Sequence, residues 1–151
     1  MASAASRTTS LQPARQANSK SIMHTEESIL TEMRRLGFVL TPLVNVGYHF
    51  EYCKHDMFIC PDTARNNILK IILPINTNAK IIDELKAYRL VNEANNIMNL
   101  TTASIVDDDM IWISYRTFLS GSEPLETVLD IAINAVTSTA DHIYNGLKSI
   151  I

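Results

Sequence analysis

Residues 106–119, VDDDMIWISYRTFL, place three consecutive acids directly before a run in which large apolar residues alternate with smaller or polar ones. Alternation at a period of two predicts a β-strand with one buried face. Aspartate is a preferred turn residue because its side chain bonds nearby backbone amides. The stretch therefore predicts an antiparallel hairpin, in which Asp107, Asp108 and Asp109 form the turn between the strand at 101–106 and the strand at 110–119.

The acidic triplet is also the strongest candidate for chemistry. Metal sites need converging oxygens, usually from alternate positions or separate elements, whereas consecutive side chains on a turn diverge. The alternative hypothesis is a small metal-dependent enzyme that uses residues 107–109 together with His49 or His55. No other cluster with ligand spacing and no phosphate-cradling glycine loop is visible. We expect a protein that is not an enzyme, with no catalytic residue, no metal and no cofactor.

Helix signals lie on both sides of the hairpin. The first predicted helix covers 24–36, with Thr25 as its cap and Gly37 as its stop. Asn78 is expected to cap a second helix whose apolar stripe extends to residue 98. The last predicted helix begins at Pro124, which is favoured at the first helical position, after Ser122 or Glu123.

Strand signals fill the region between the first two helices. The segment 38–41 is rich in β-formers and is interrupted by Pro42, and residues 46–52 alternate strictly. We expect a turn at 54–56, a returning strand at 57–60, and a strand at 68–74 that Pro74 closes. Strands joined by short turns pair antiparallel. The order α-β-β-β(-β)-α-β-β-α therefore predicts an α+β fold in two layers, with helices covering an antiparallel sheet.

The two faces of the 110–119 strand differ in composition. Its odd-numbered positions are the more continuously apolar, so we assign them to the helices. The other positions include aromatic residues and an arginine, which are enriched at protein interfaces. We therefore predict that this outer face binds a homodimer partner or a client; the competing interpretation is that Trp112 is core. The predicted partner-binding residues are Met110, Trp112, Arg116 and Phe118.

Charge is distributed unevenly along the 151 residues. Three of the 13 basic residues and none of the 16 acidic residues lie in positions 1–20. We expect this segment to be a disordered basic leader, and 21–151 to be one domain. A targeting signal is an alternative role for the leader. The acidic body lacks the clustered Lys and Arg of a nucleic-acid-binding protein. No apolar stretch is long enough to span a membrane.

The two cysteines bear on location. With a turn at 54–56, Cys60 would lie opposite His49 or Phe50 and out of register with Cys53. Disulfide geometry requires close Cβ atoms, so we expect both thiols to be reduced. Reduced cysteines fit a cytoplasmic protein.

The segment 90–147 resembles the YbjN-type bacterial proteins, described as sensory-transduction regulators and similar in fold to the small class of type III secretion chaperones. The resemblance rests on VNEANN with Asn92 and Asn95, the hairpin with an acidic turn at 106–112, the loop FLSGSE and a long closing helix. It implies a non-enzymatic protein–protein module that is often dimeric. It also implies a chaperone-like or regulatory role, in which apolar patches hold an extended segment of a client or regulatory partner.

Overall fold

The computed structural model describes residues 24–63, 67–77 and 83–150. Over these ranges the chain forms three helices and six strands, and the predicted α+β class and element order are confirmed. The predicted leader at 1–20 lies outside the described residues. The helices are α1 (Glu26–Arg35), α2 (Glu84–Ile97) and α3 (Leu125–Leu147); the strands are β1 (Thr41–Leu43), β2 (Gly47–Tyr52), β3 (His55–Asp62), β4 (Ile68–Asn76), β5 (Thr102–Asp107) and β6 (Met110–Phe118).

The strands form one antiparallel sheet with the order β1-β2-β3-β4-β6-β5. Hairpins join neighbouring strands except between β4 and β6, where the chain leaves the sheet for α2 and returns through β5. The longest pairing joins β4 to β6, from Ile68 opposite Phe118 to Asn76 opposite Met110. β6 is thus an interior strand, paired with β4 on one side and with the edge strand β5 on the other.

The three helices pack on the same face of the sheet. α3 contacts β4 and β6, α2 contacts β5 and α3, and α1 contacts α3 and β3. The core between the layers contains fully buried side chains such as Phe50, Ile71 and Ile113. Two layers arise because each sheet strand and each helix has one apolar side that must leave water.

The first helix begins where the sequence predicts. The Thr25 side chain accepts from the Ser28 amide at 3.1 Å, and the Ser28 hydroxyl accepts from the Thr25 amide at 2.9 Å. This capping box satisfies two amides that the helix leaves without partners. Gly37 follows the helix with φ of +96°, a conformation that a residue with a Cβ rarely adopts. The cap and the stop predicted for α1 are confirmed.

The turn predicted at 54–56 is wrong, because His55 and Asp56 already belong to β3. Cys53 and Lys54 form a two-residue turn with φ of 50° and 64°, and Tyr52 pairs with His55. Paired positive φ values are those of the type I′ turn, which suits hairpins and usually contains Asn or Gly. Consequently Cys60 follows Ile59, the partner of Tyr48, and is not opposite His49 or Phe50. Both cysteines are free thiols.

Two prolines lie inside strands that they were expected to interrupt or close. β1 is Thr41–Leu43 rather than the predicted 38–41, and Pro42 lies inside it, at the edge of the sheet, where a missing amide breaks no ladder. β4 continues through Pro74 to Asn76, and Pro74 lies beyond Ile72, the last residue that pairs with β3. A proline at this point ends the contact with β3 while the pairing with β6 goes on.

Two helix starts also differ from expectation. α2 begins at Glu84, with the Asp83 side chain accepting from the Lys86 amide at 3.0 Å. The predicted cap, Asn78, lies outside the described residues. Pro124 is the cap position of α3 rather than its first helical residue.

Candidate functional site: the outer face of the sheet

The outer face, defined here as the side of the sheet opposite the three helices, contains all four predicted partner-binding residues. Their neighbours Ile111 and Ile113 are fully buried on the helix side, as the alternation predicts. Trp112 is 43% exposed and Phe118 is 73% exposed. Trp112 is thus not a core residue, and the role of these residues in binding stays a prediction. The residues in question are Met110, Trp112, Arg116 and Phe118.

Strand β4 supplies a second row of side chains to the same face. Pro74 lies opposite Trp112, Lys70 opposite Arg116, and Ile68 opposite Phe118. The sequence did not predict this row. ILKIILPIN is nearly continuously apolar, so it lacks the alternation that would distinguish an inner from an outer side of the strand. The one sequence signal was Lys70, whose charge marks the side of the strand that faces water.

One apolar residue of the outer face is closely packed by its neighbours. Ile72 is only 8% exposed although it lies on this side, between Phe58 of β3 and Ser114 of β6 in register. We call the apolar side chains that β3, β4 and β6 present on the outer face the apolar band. It consists of Phe58, Ile68, Ile72, Pro74, Met110, Trp112 and Phe118.

The histidines considered for catalysis do not join the acidic triplet. His49 on β2 lies 2.7 Å from the Asp56 carboxylate, and its ring centroid is 5.5 Å from that of Phe58. β4 and β6 separate the β2–β3 hairpin from the triplet. His49 is therefore not placed beside the triplet with which the alternative hypothesis combined it.

His55 belongs to a different cluster on the helix side. Its ring stacks on Tyr144 of α3 with centroids 5.8 Å apart, and its Nε2 lies 3.7 Å from the Asp141 carboxylate. Burial raises the pKa of the Tyr144 hydroxyl, and the negative charge of Asp56 adds to that rise. The contact joins the β2–β3 hairpin to the last helix, away from the triplet.

The acidic triplet is a hairpin turn, as the sequence predicts. Asp107 pairs with Met110, and Asp108 and Asp109 connect the two strands. The backbone carbonyl of Asp109 accepts from the Thr77 amide at 2.9 Å, so the turn also bonds to the end of β4. An open groove of about 780 Å³ separates the turn from Glu84 and Tyr88 of α2. Among the described residues, no three His, Cys, Asp or Glu side chains could together hold a metal ion.

Single replacement of Asp107, Asp108 or Asp109 by asparagine should change the free energy of unfolding by less than about 1 kcal/mol, because the variants keep the turn backbone and alter one surface charge. Urea denaturation of each variant measures this. A larger loss in one variant, or a melting temperature that divalent metal raises in the wild type and not in that variant, would contradict the turn interpretation.

The edge strand β5 is covered by one side chain that the sequence did not single out for this purpose. The Asn95 amide of α2 donates to the Ala103 carbonyl at 3.0 Å and accepts from the Ala103 amide at 2.7 Å. These are the two bonds that another strand would form at the free edge. Edge strands attract unwanted strand pairing unless they are covered. Asn95 therefore anchors α2 and closes part of this edge.

Replacing Asn95 by alanine should lower the free energy of unfolding by about 1–2 kcal/mol, because two hydrogen bonds are lost from half-buried backbone groups. Asn96→Ala is the matched control, since Asn96 is exposed on the same helix and forms no side-chain hydrogen bond among the described residues. Equal urea midpoints for the two variants would show that the edge contact is not stabilising.

No helix within the described ranges is both long and apolar enough to cross a membrane.

Comparison with solved structures finds proteins with a similar fold. A protein described as uncharacterized, from Methanothermobacter thermautotrophicus, matches with a TM-score of 0.59 and 10% identity, over 83% of this chain and 98% of that one. YbjN from E. coli, described as "a putative transcription regulator", matches with a TM-score of 0.62 and 10% identity, over 85% of this chain and 95% of its own. The predicted likeness to YbjN is confirmed at the level of the fold.

No protein-family model matches the chain. The search of curated proteins also gives no match.

Proposed function

We propose that the protein is a non-enzymatic binding module that holds an extended segment of a partner protein on the outer face of its sheet. The observation that carries this proposal is the exposure of Trp112 and Phe118 on a face that no described helix covers. Large aromatic side chains in water are unfavourable unless a partner covers them, and contiguous exposed apolar patches mark interaction sites.

The arrangement of the exposed apolar residues supports this choice of surface. Leu43, Val44 and Val46 are exposed together at the β1–β2 turn, at the edge of the sheet, whereas Val39, Leu85 and Leu100 are exposed on loops and a helix, as is common on monomers. Trp112 and Phe118, in contrast, share one face of one strand and have Pro74 and Ile68 opposite them. An extended peptide presents side chains at the same period as the strand beneath it, which suits such a face.

The role is either regulatory or chaperone-like. The description of YbjN as a transcription regulator favours a regulatory partner protein, and the resemblance to secretion chaperones favours a client segment. The acidic body argues for a protein rather than a nucleic acid as the partner. A cytoplasmic location and a homodimer complete the proposal; sedimentation of the purified protein tests the dimer.

Affinity capture from the native cell tests the proposal. Wild-type protein and a Trp112→Ser/Phe118→Ser double variant serve as baits, and mass spectrometry identifies what each retains. Tyr88→Ser is the matched control, because Tyr88 is an aromatic residue of α2 that is 59% exposed on the other layer. Partners retained by the wild type and the control but lost from the double variant support the outer face. The same partners on all three baits would place binding elsewhere.

A further inference from the structure

Two cations lie side by side in the middle of the outer face. Lys70 of β4 and Arg116 of β6 are directly opposite in register, and the buried neighbours Leu69, Ile71 and Tyr115 show that both side chains point away from the helices. Like charges directly opposite each other on neighbouring strands are destabilising. The fold alone gives no reason for this pair.

Asp62 of β3 lies on the same outer face, opposite Ile68 in register, but no described carboxylate lies within ion-pair distance of Lys70 or Arg116. The register partner of Lys70 on its other side is Cys60, and burial raises the pKa of that thiol, with a smaller opposing effect of Lys70. Cys60 is therefore a neutral neighbour, and the positive charge remains available to a bound group.

We propose that Lys70 and Arg116 together receive a carboxylate of the bound segment, so that the partner is an extended peptide with an acidic residue between apolar ones. This inference rests on the proposed function and names the chemistry of its partner. An arginine beside a lysine suits a carboxylate, because the guanidinium offers paired N–H donors and the ammonium adds a second positive charge.

The register fixes the spacing of the side chains in such a partner. Along β6 the outward residue on one side of Arg116 is Phe118, and on the other side Ser114 is followed by Trp112. Outward positions repeat every two residues, about 7 Å along a strand. A segment aligned with β6 therefore has an apolar residue two positions from its acid on one side, and another apolar residue four positions from it on the other.

The same cation pair argues against a second copy of the chain as the occupant. In a two-fold dimer each surface patch faces its own copy. Packing the middle of the outer face against itself would bring two Lys70–Arg116 pairs together, and like charges across an interface oppose association. The occupant is therefore a segment of a different composition, and a homodimer would have to use another surface.

Selection from a library of random linear peptides displayed on phage tests the proposal. The wild type, a Lys70→Gln/Arg116→Gln double variant and Trp112→Ala are used as targets, and the selected sequences are compared. Arg89→Gln is the control, since Arg89 is an exposed cation of α2. We expect acids at a fixed spacing from apolar residues on the wild type and the control, loss of that preference on the double variant, and loss of binding on Trp112→Ala.

The outcomes separate the two proposals. Peptides that need Trp112 but carry no acid, or whose acids the double variant still selects, overturn the carboxylate site and leave the binding face intact. Peptides that bind independently of Trp112 overturn the proposed function and this inference with it. Urea denaturation gives a second readout: single Lys70→Gln and Arg116→Gln variants should unfold at a higher midpoint than the wild type, because repulsion is relieved. A lower midpoint in both would assign the cations to the fold and overturn the proposal.

Discussion

Replacing Phe50 by alanine should lower the free energy of unfolding by about 3–5 kcal/mol, the cost of truncating a buried aromatic residue. Phe50 is fully buried on the helix side of β2. Its ring meets that of Phe38 edge-on, with centroids 5.2 Å apart, and this geometry stabilises aromatic pairs beyond their burial. The variant therefore loses both the area and the ring contact, and urea denaturation measures the loss.

Phe118→Ala is the matched control for this experiment. It makes the same chemical change on the opposite face, at a side chain that is 73% exposed. Exposed substitutions away from packed contacts change stability little, so we expect less than about 1 kcal/mol. If the two variants lost equal stability, the outer face would be covered in the folded protein, and the two-layer description of the sheet would be incomplete.

The difference between these two phenylalanines shows which parts of the fold the sequence could predict. Along β6 the odd-numbered positions are apolar except for Thr117 and the even-numbered positions mix aromatic with polar residues, so one period of two was enough to assign both faces. The short polar turn formed by the acidic triplet then predicted that β6 pairs with β5 in an antiparallel hairpin. Patterns of this kind can be read from the sequence because all the residues that form them belong to one strand or one turn.

Other features depend on contacts between distant elements. The insertion of β6 between β4 and β5 is a consequence of how α2 returns the chain to the sheet, which no local period encodes. β4 is nearly continuously apolar, so apart from the charge of Lys70 its contribution to the outer face could be assigned only from its register with β6. The role of Asn95 was invisible for the same reason, since its partner lies on another element.

Trp112→Ala should weaken binding of the partner by about 2–4 kcal/mol, which corresponds to a loss of affinity of roughly thirtyfold or more. Tryptophan is among the residues that dominate binding when they sit at the centre of an interface. Trp112 lies in the apolar band between Pro74 and Ser104 in register, and the lost contact area cannot be replaced by its neighbours. Peptides obtained by selection on the wild type provide the ligand, and calorimetry measures the affinity.

The same variant should cost only about 1 kcal/mol of stability, because Trp112 is 43% exposed before any partner binds. Full burial would instead cost about 3–5 kcal/mol. The experiment therefore needs both a urea melt and a binding measurement on one preparation. A much lower urea midpoint with unchanged affinity would mean that Trp112 stabilises the folded sheet and does not contact the partner. A nearly unchanged midpoint with lost affinity is the result expected if Trp112 contacts the partner and contributes little to the stability of the free protein.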